Sequence, residues 1–103
     1  MKSSTVDLVV TGDERAALAA ALDAARRGHR VLVVLRAGDR QAVSRLRGVC
    51  RAAQRQLTVM TNAEVVCVDG VDGVEAVVIR QARTGRLSAV NASAFLACDA
   101  SKT

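Results

Sequence analysis

The sequence predicts an α/β fold: a parallel sheet wound with helices, closing in an antiparallel meander. Three observations predict it. Two apolar runs, Val6 to Thr11 and Val31 to Leu35, flank an Ala-rich amphipathic stretch, and together they fill the roughly 30 residues of a βαβ unit. Further on, two Gly-bearing turns, Asp69 to Gly73 and Arg83 to Arg86, separate short β-branched runs. Finally, 50% of the 103 residues are apolar while Phe95 is the only aromatic, so an ordered core must be built from Ala, Val and Leu. A chain of this length reads as one domain, residues 1 to 103.

The first strand, residues 6 to 11, is nearly all apolar, as a parallel strand covered on both faces should be. A helix follows from about Asp13 to Arg27. Leu18, Ala21, Leu22 and Ala25 recur at i, i+3, i+4 and i+7 and make its core-facing stripe. Asp13 and Glu14 suit its start, and Arg26-Arg27-Gly28 suits its end, with Gly at C′. The second strand is Arg30 to Leu35, joined to the first by a right-handed crossover. Ala37-Gly38-Asp39 is a turn with Asp39 as N-cap, leading into a second helix over 40 to 54 whose apolar positions are Val43, Leu46, Cys50 and Ala53. A third strand is Leu57 to Thr61. The pattern then changes to hairpins: Val65 to Val68, Ala76 to Arg80, Leu87 to Val90, and a closing strand Ala94 to Cys98.

Net charge is +5, and the excess is concentrated. Arg36, Arg40, Arg45, Arg47, Arg51 and Arg55 face a single acid, Asp39. Such a stripe reads first as a solvated helix face, and it also attracts phosphates or an acidic partner. Nucleic acid is not expected as a ligand, because the aromatic side chains that stack bases are missing. Cys50, Cys67 and Cys98 form no C-x-x-C pair and read as buried structural thiols. Their odd number, with no hydrophobic leader over residues 1 to 5, points to a reducing, cytoplasmic setting. No apolar run approaches the ~20 residues of a membrane span. The single histidine, His29, follows a helix exit and reads as a solvated turn residue, so no Ser/His/Asp arrangement can be drawn. No metal cluster is expected. Asp69 and Asp72 lack EF-hand spacing and fit turn chemistry. Asn91-Ala92-Ser93 matches a glycosylation sequon without any sign of secretion. Asp7 is expected to pack outside the sheet.

The loop after the first strand, Gly12-Asp13-Glu14-Arg15-Ala16-Ala17, stands where a dinucleotide-binding protein carries G-x-G-x-x-G/A. With Leu32 to Arg36, Thr61 to Val66, Gly73 to Ile79 and Arg83-Thr84-Gly85 in succession, residues 6 to 99 resemble the NAD(P)H-binding domain of the thioredoxin reductase and pyridine nucleotide–disulfide oxidoreductase family. The resemblance implies a three-layer, Rossmann-like FAD/NAD(P)-binding fold, with helices on one face of the parallel sheet and the meander on the other. It implies a cofactor site drawn from Gly12, Asp13, Glu14, Ala17, Arg36, Arg40 and Cys98, with no catalytic residue in the chain. The second helix follows the second strand at once, which resembles the NAD(P)H type more than the FAD type. NADP is thus the implied cofactor, ahead of FAD. A larger flavoprotein subunit or a second copy of the chain is the implied partner.

The departures from the family pattern are specific. Glu14 replaces the second glycine, which lets the backbone approach the pyrophosphate. Its charge, with that of Asp13, opposes a dianion at a helix N-terminus that otherwise attracts phosphate. One like-charge contact at about 4 Å and an effective dielectric of ~20 costs roughly 4 kcal/mol, about a thousandfold in affinity. Leu35 and Arg36 stand where NAD-preferring members place an acid, which implies a preference for the 2′-phosphate, with Arg40 one helical turn on. Leu96-Ala97-Cys98-Asp99 replaces the family's A-x-G, bringing Asp99 toward the same place. Two functions are compatible with this pattern. One is an NAD(P)H-binding module that presents a nicotinamide to a flavin held elsewhere. The other is a pseudo-cofactor domain that has lost nucleotide binding and serves as a structural or protein-interaction module.

Overall fold

A computed structural model describes residues 4–36, 56–71 and 73–98. The elements are β1 (Ser4–Gly12), α1 (Glu14–Arg26), β2 (Val31–Val34), β3 (Leu57–Met60), β4 (Ala63–Asp69), β5 (Ala76–Gln81) and β6 (Leu87–Cys98). The predicted second helix, Arg40 and the other arginines of the stripe up to Arg55, Cys50 and Asp99 lie outside the described residues. All six strands join one sheet in the order β3-β2-β1-β6-β5-β4. β3, β2, β1 and β6 run parallel, whereas β6, β5 and β4 are antiparallel.

Alternation along the central strands divides the core in two. Val10, Val31, Val33 and Leu35 point to one face and bury Ala17 and Ala21 of α1, with Leu57. Val9, Leu32 and Val34 point to the other face and share a core with Ala63, Val77, Ile79, Val90 and Ala92 from the meander and β6. β2 is therefore buried on both sides along its whole length, which is why its sequence is uninterrupted Val and Leu. The small alanines on α1 bring the helix close to the sheet, and the valines beneath supply the apolar area.

The ends of α1 are built by local chemistry. Asp13 is the N-cap, its carboxylate accepting from the Ala16 N–H at 3.2 Å. At the other end the Gly28 N–H donates to the Ala25 carbonyl at 3.0 Å and the His29 N–H to the Ala24 carbonyl at 3.1 Å, the paired bonds of a Schellman motif. Gly28 takes φ 91°, the left-handed conformation that this motif requires.

Four expectations change in detail. The meander is not a separate sheet. It is hydrogen-bonded to the parallel strands through β6, while Val77 and Ile79 still cover the face opposite α1. The two predicted strands at 87–90 and 94–98 are one 12-residue strand. The sequon lies in its middle, with Asn91 in register with Thr5 on one side and Ala76 on the other. Small polar residues at 91–93 imitate a turn in the sequence, but both neighbouring strands recruit them by hydrogen bonding. Third, of the two described cysteines, Cys67 is exposed on β4 instead of buried and Cys98 is partly covered. Fourth, Asp7 belongs to the central strand β1 instead of packing outside the sheet, and its exposed carboxylate accepts from the Arg30 N–H at 2.8 Å, with His29 Nδ1 at 4.0 Å. His29 is solvated as expected, its side chain being 55% exposed. No helix among the described residues is long and apolar enough to cross a membrane, and none of their His, Cys, Asp and Glu side chains cluster as a metal site would.

Candidate dinucleotide site

The C-terminal ends of β1 and β6 meet at the loop that opens α1. Gly12 adopts φ 123°, and a Cβ built on it would lie 1.7 Å from the Cys98 carbonyl oxygen. The Asp13 N–H donates to that same carbonyl at 2.6 Å, and the Asp13 carbonyl accepts from Ala17 N–H at 2.7 Å to begin the helix. Glycine at 12 is thus dictated by the closeness of β6, before any ligand is considered. Ala17, at the third fingerprint position, is fully buried against the sheet, where a small residue permits close helix–strand packing.

These contacts bring together Gly12, Asp13, Glu14, Ala17 and Cys98, five of the seven residues expected to form the site. Cys98 packs its side chain against the α1-side core, so it enters the loop through its backbone. Arg36 stands apart, past the end of β2. Its side chain is 86% exposed and its Nη2 lies 3.6 Å from Glu64 Oε2, while Arg80 Nη2 bonds the other oxygen, Oε1. Glu64 and Arg80 face each other across the β4–β5 hairpin, so the pairing is fixed by register. Sequence reasoning had not singled them out; the signal available was opposite charges at matched positions of one hairpin. Exposed pairs of this kind contribute only about 0.2–1 kcal/mol each.

The residues present do not fit a dinucleotide well. The helix N-terminus already has a resident carboxylate, since Asp13 accepts the Ala16 N–H that an anion would compete for. Glu14, at the first helical position, adds a Cβ and a second charge where the family's glycine makes room. Leu35, where the resemblance implies a ribose-binding acid, is fully buried in the α1-side core and has no polar atom on its side chain to offer a hydroxyl. No step can be derived through a cofactor from this loop. The cap itself is testable: Asp13→Ala is expected to cost about 1 kcal/mol of stability, read as a shift of the urea midpoint.

No protein-family model matches the chain. No curated protein matches its sequence. Solved structures do match. The thioredoxin reductase of Streptococcus pyogenes MGAS5005 superposes with a TM-score of 0.70 at 22% identity, over 92% of this chain and 31% of that one. The bacillithiol disulfide reductase of Staphylococcus aureus gives 0.71 at 19% identity, over 93% and 29%. A geranylgeranyl bacteriochlorophyll reductase-like protein of Thermoplasma acidophilum gives 0.72 at 15% identity, over 95% and 40%. At these identities the likeness establishes the fold alone, a mixed α/β sheet shared with these reductases. The chain spans 29 to 40% of the length of these structures.

Proposed function

We propose that this chain is an NAD(P)H-binding-type module of a flavoprotein oxidoreductase, with no catalysis of its own and with its dinucleotide affinity weak or lost. The observation that carries this reading is the divided state of the loop. Gly12 keeps the close approach to Cys98 that the scaffold needs. Asp13, Glu14 and Leu35 stand at the positions a nucleotide needs. A larger flavoprotein subunit is the partner that such a module would complete, because the chain spans only 29 to 40% of the matched structures.

Two finer readings separate on particular residues. Arg36, still 86% exposed, favours a residual preference for NADP through its 2′-phosphate. The capped helix end and the buried Leu35 favour a pseudo-cofactor domain that acts through its surface. The test is thermal unfolding of the wild type and Glu14→Gly with millimolar NADPH, NADH or FAD. Ligand at a hundredfold excess over Kd raises stability by about 2.7 kcal/mol, so binding is visible as a melting shift. The wild type is expected to be indifferent to all three, and Glu14→Gly to respond to NADPH before NADH. An unresponsive but folded Glu14→Gly selects the pseudo-cofactor reading. A wild type stabilised as strongly as the variant overturns the proposal that Glu14 obstructs the site.

A further inference from the structure

A polar groove separate from the Gly12 loop lies where the turn after β3 meets the turn after β5. It is lined by Thr61, Asn62, Gln81 and Arg83 and has a volume of about 170 Å³. That is room for several water molecules at about 30 Å³ each, and so for an ion with a partial hydration shell.

Its walls are held by backbone hydrogen bonds. The Ala82 N–H donates to the Asn62 carbonyl at 2.8 Å and ties the two turns together. Within the second turn, Gly85 N–H donates to the Gln81 carbonyl at 2.8 Å, Gln81 N–H to the Arg86 carbonyl at 2.9 Å, and Arg86 N–H to Thr84 Oγ1 at 3.1 Å. Asn62 takes φ 56°, the only positive value at a non-glycine among the described residues. Backbone held in that region recurs at ligand-facing sites, and Asn adopts it more readily than most residues.

The lining is matched to one kind of chemistry. A hydroxyl, two carboxamides and a guanidinium all carry N–H or O–H donors, and among the described residues no carboxylate lines the groove. Among the described residues, no hydrogen bond or ion pair engages these four side chains. Arg80 and Arg86 flank the turn, and the acid on the adjoining strand, Glu64, is already engaged by Arg36 and Arg80. Among the described residues the charge around the turn is net positive, Arg36, Arg80, Arg83 and Arg86 against Glu64.

We propose that this groove binds a phosphate group, free or as a monoester, with Arg83 supplying the charge and Thr61, Asn62 and Gln81 supplying neutral hydrogen bonds. The inference goes beyond the dinucleotide reading and does not rest on it. The test is an amide-shift titration of the ¹⁵N-labelled chain with inorganic phosphate, with glycerol 2-phosphate, and with sodium chloride at matched ionic strength. Saturable shifts at Thr61, Asn62, Gln81 and Arg83 are expected with both phosphates and not with chloride. A tighter glycerol 2-phosphate isotherm assigns the site to an esterified phosphate, and equal affinities assign it to the free anion. Arg83→Gln is expected to weaken binding about tenfold or more, the worth of one charge-assisted hydrogen bond. Arg83→Lys, which keeps the charge and loses the fork, should fall between. Arg83 is exposed, so neither variant endangers the fold. Shifts reproduced by chloride, or an Arg83→Gln affinity equal to wild type, overturn the proposal. Its failure is distinct from failure at the Gly12 loop, which is read by melting with NADPH in Glu14→Gly.

Discussion

Gly12→Ala is expected to remove about 3–5 kcal/mol of stability, among the largest losses a single methyl group can cause. A positive φ of 123° is open to glycine and strained for alanine, which accounts for about 1–3 kcal/mol. The remainder comes from contact. The new Cβ would meet the Cys98 oxygen at 1.7 Å, its carbonyl carbon at 2.5 Å and its nitrogen at 2.8 Å. All three are backbone atoms of a paired strand, so no flexible side chain can swing away. Separating β6 from the loop would also break the Asp13 N–H to Cys98 carbonyl bond, worth about 1 kcal/mol. For a domain of this size each kcal/mol lowers the melting temperature by about 4–8 °C, so a fall of at least about 12 °C is expected. Gly28→Ala is the control. Its φ is also positive, at 91°, but a Cβ there meets nothing within 4 Å, so about 1 kcal/mol should be lost. Equal losses in the two variants would show that conformation alone, and not the closeness of β6, fixes glycine at 12.

Leu35→Glu is expected to cost about 4 kcal/mol or more at neutral pH and to give no gain in nucleotide affinity. Leu35 is fully buried, and its backbone is pinned on both sides: its N–H donates to the Met60 carbonyl at 2.8 Å and its carbonyl accepts from Ala63 N–H at 3.1 Å. Truncation to alanine costs about 2–4 kcal/mol through lost burial and the cavity left behind. A carboxylate in that place adds the cost of an unpaired buried charge. The pH dependence fixes the cause. Desolvation raises the introduced carboxyl's folded-state pKa above its unfolded value of about 4.3. The folded chain then holds its proton more tightly than the unfolded chain does. The charge penalty is therefore absent below about pH 4 and grows as pH rises toward the folded pKa. Urea midpoints of Leu35→Glu and Leu35→Ala should converge at pH 4 and separate at pH 7. Equal midpoints at pH 7 would mean that position 35 faces solvent and that the acid-bearing site can be rebuilt.

The parts of this fold that were legible in the sequence are those governed by local rules. The α1 boundaries follow from Asp13 as cap and Gly28 as stop, and the face of the helix from the spacing of its alanines. The strands were legible as apolar runs, and β2 especially so because burial on both faces leaves no polar position. What was not legible depends on pairing over distance. Continuity of β6 through Asn91 to Ser93 is decided by Thr5 and Ala76 on its two sides, and no window around the sequon contains that information. The two-faced core was implied by a family likeness, whereas the hydrogen-bonded route by which the meander reaches it was not. At the site, the Gly12 to Ala17 loop was readable because its chemistry is contiguous. The groove of Thr61, Asn62, Gln81 and Arg83 joins two turns roughly 20 residues apart in sequence, brought together by the Ala63–Gln81 register of the β4–β5 hairpin and the Ala82 to Asn62 hydrogen bond.

Because β6 gives one edge to β1 and the other to β5, it joins the parallel and the antiparallel halves of the sheet. Neither half owns a complete set of backbone partners without it. Disorder that begins in the hairpins therefore reaches Cys98, and through its carbonyl the turn at Gly12, along a single stretch of chain. Among the described residues the sheet offers no seam at which the parallel half could open while the hairpin half stays closed, so the two halves are expected to unfold as one cooperative unit.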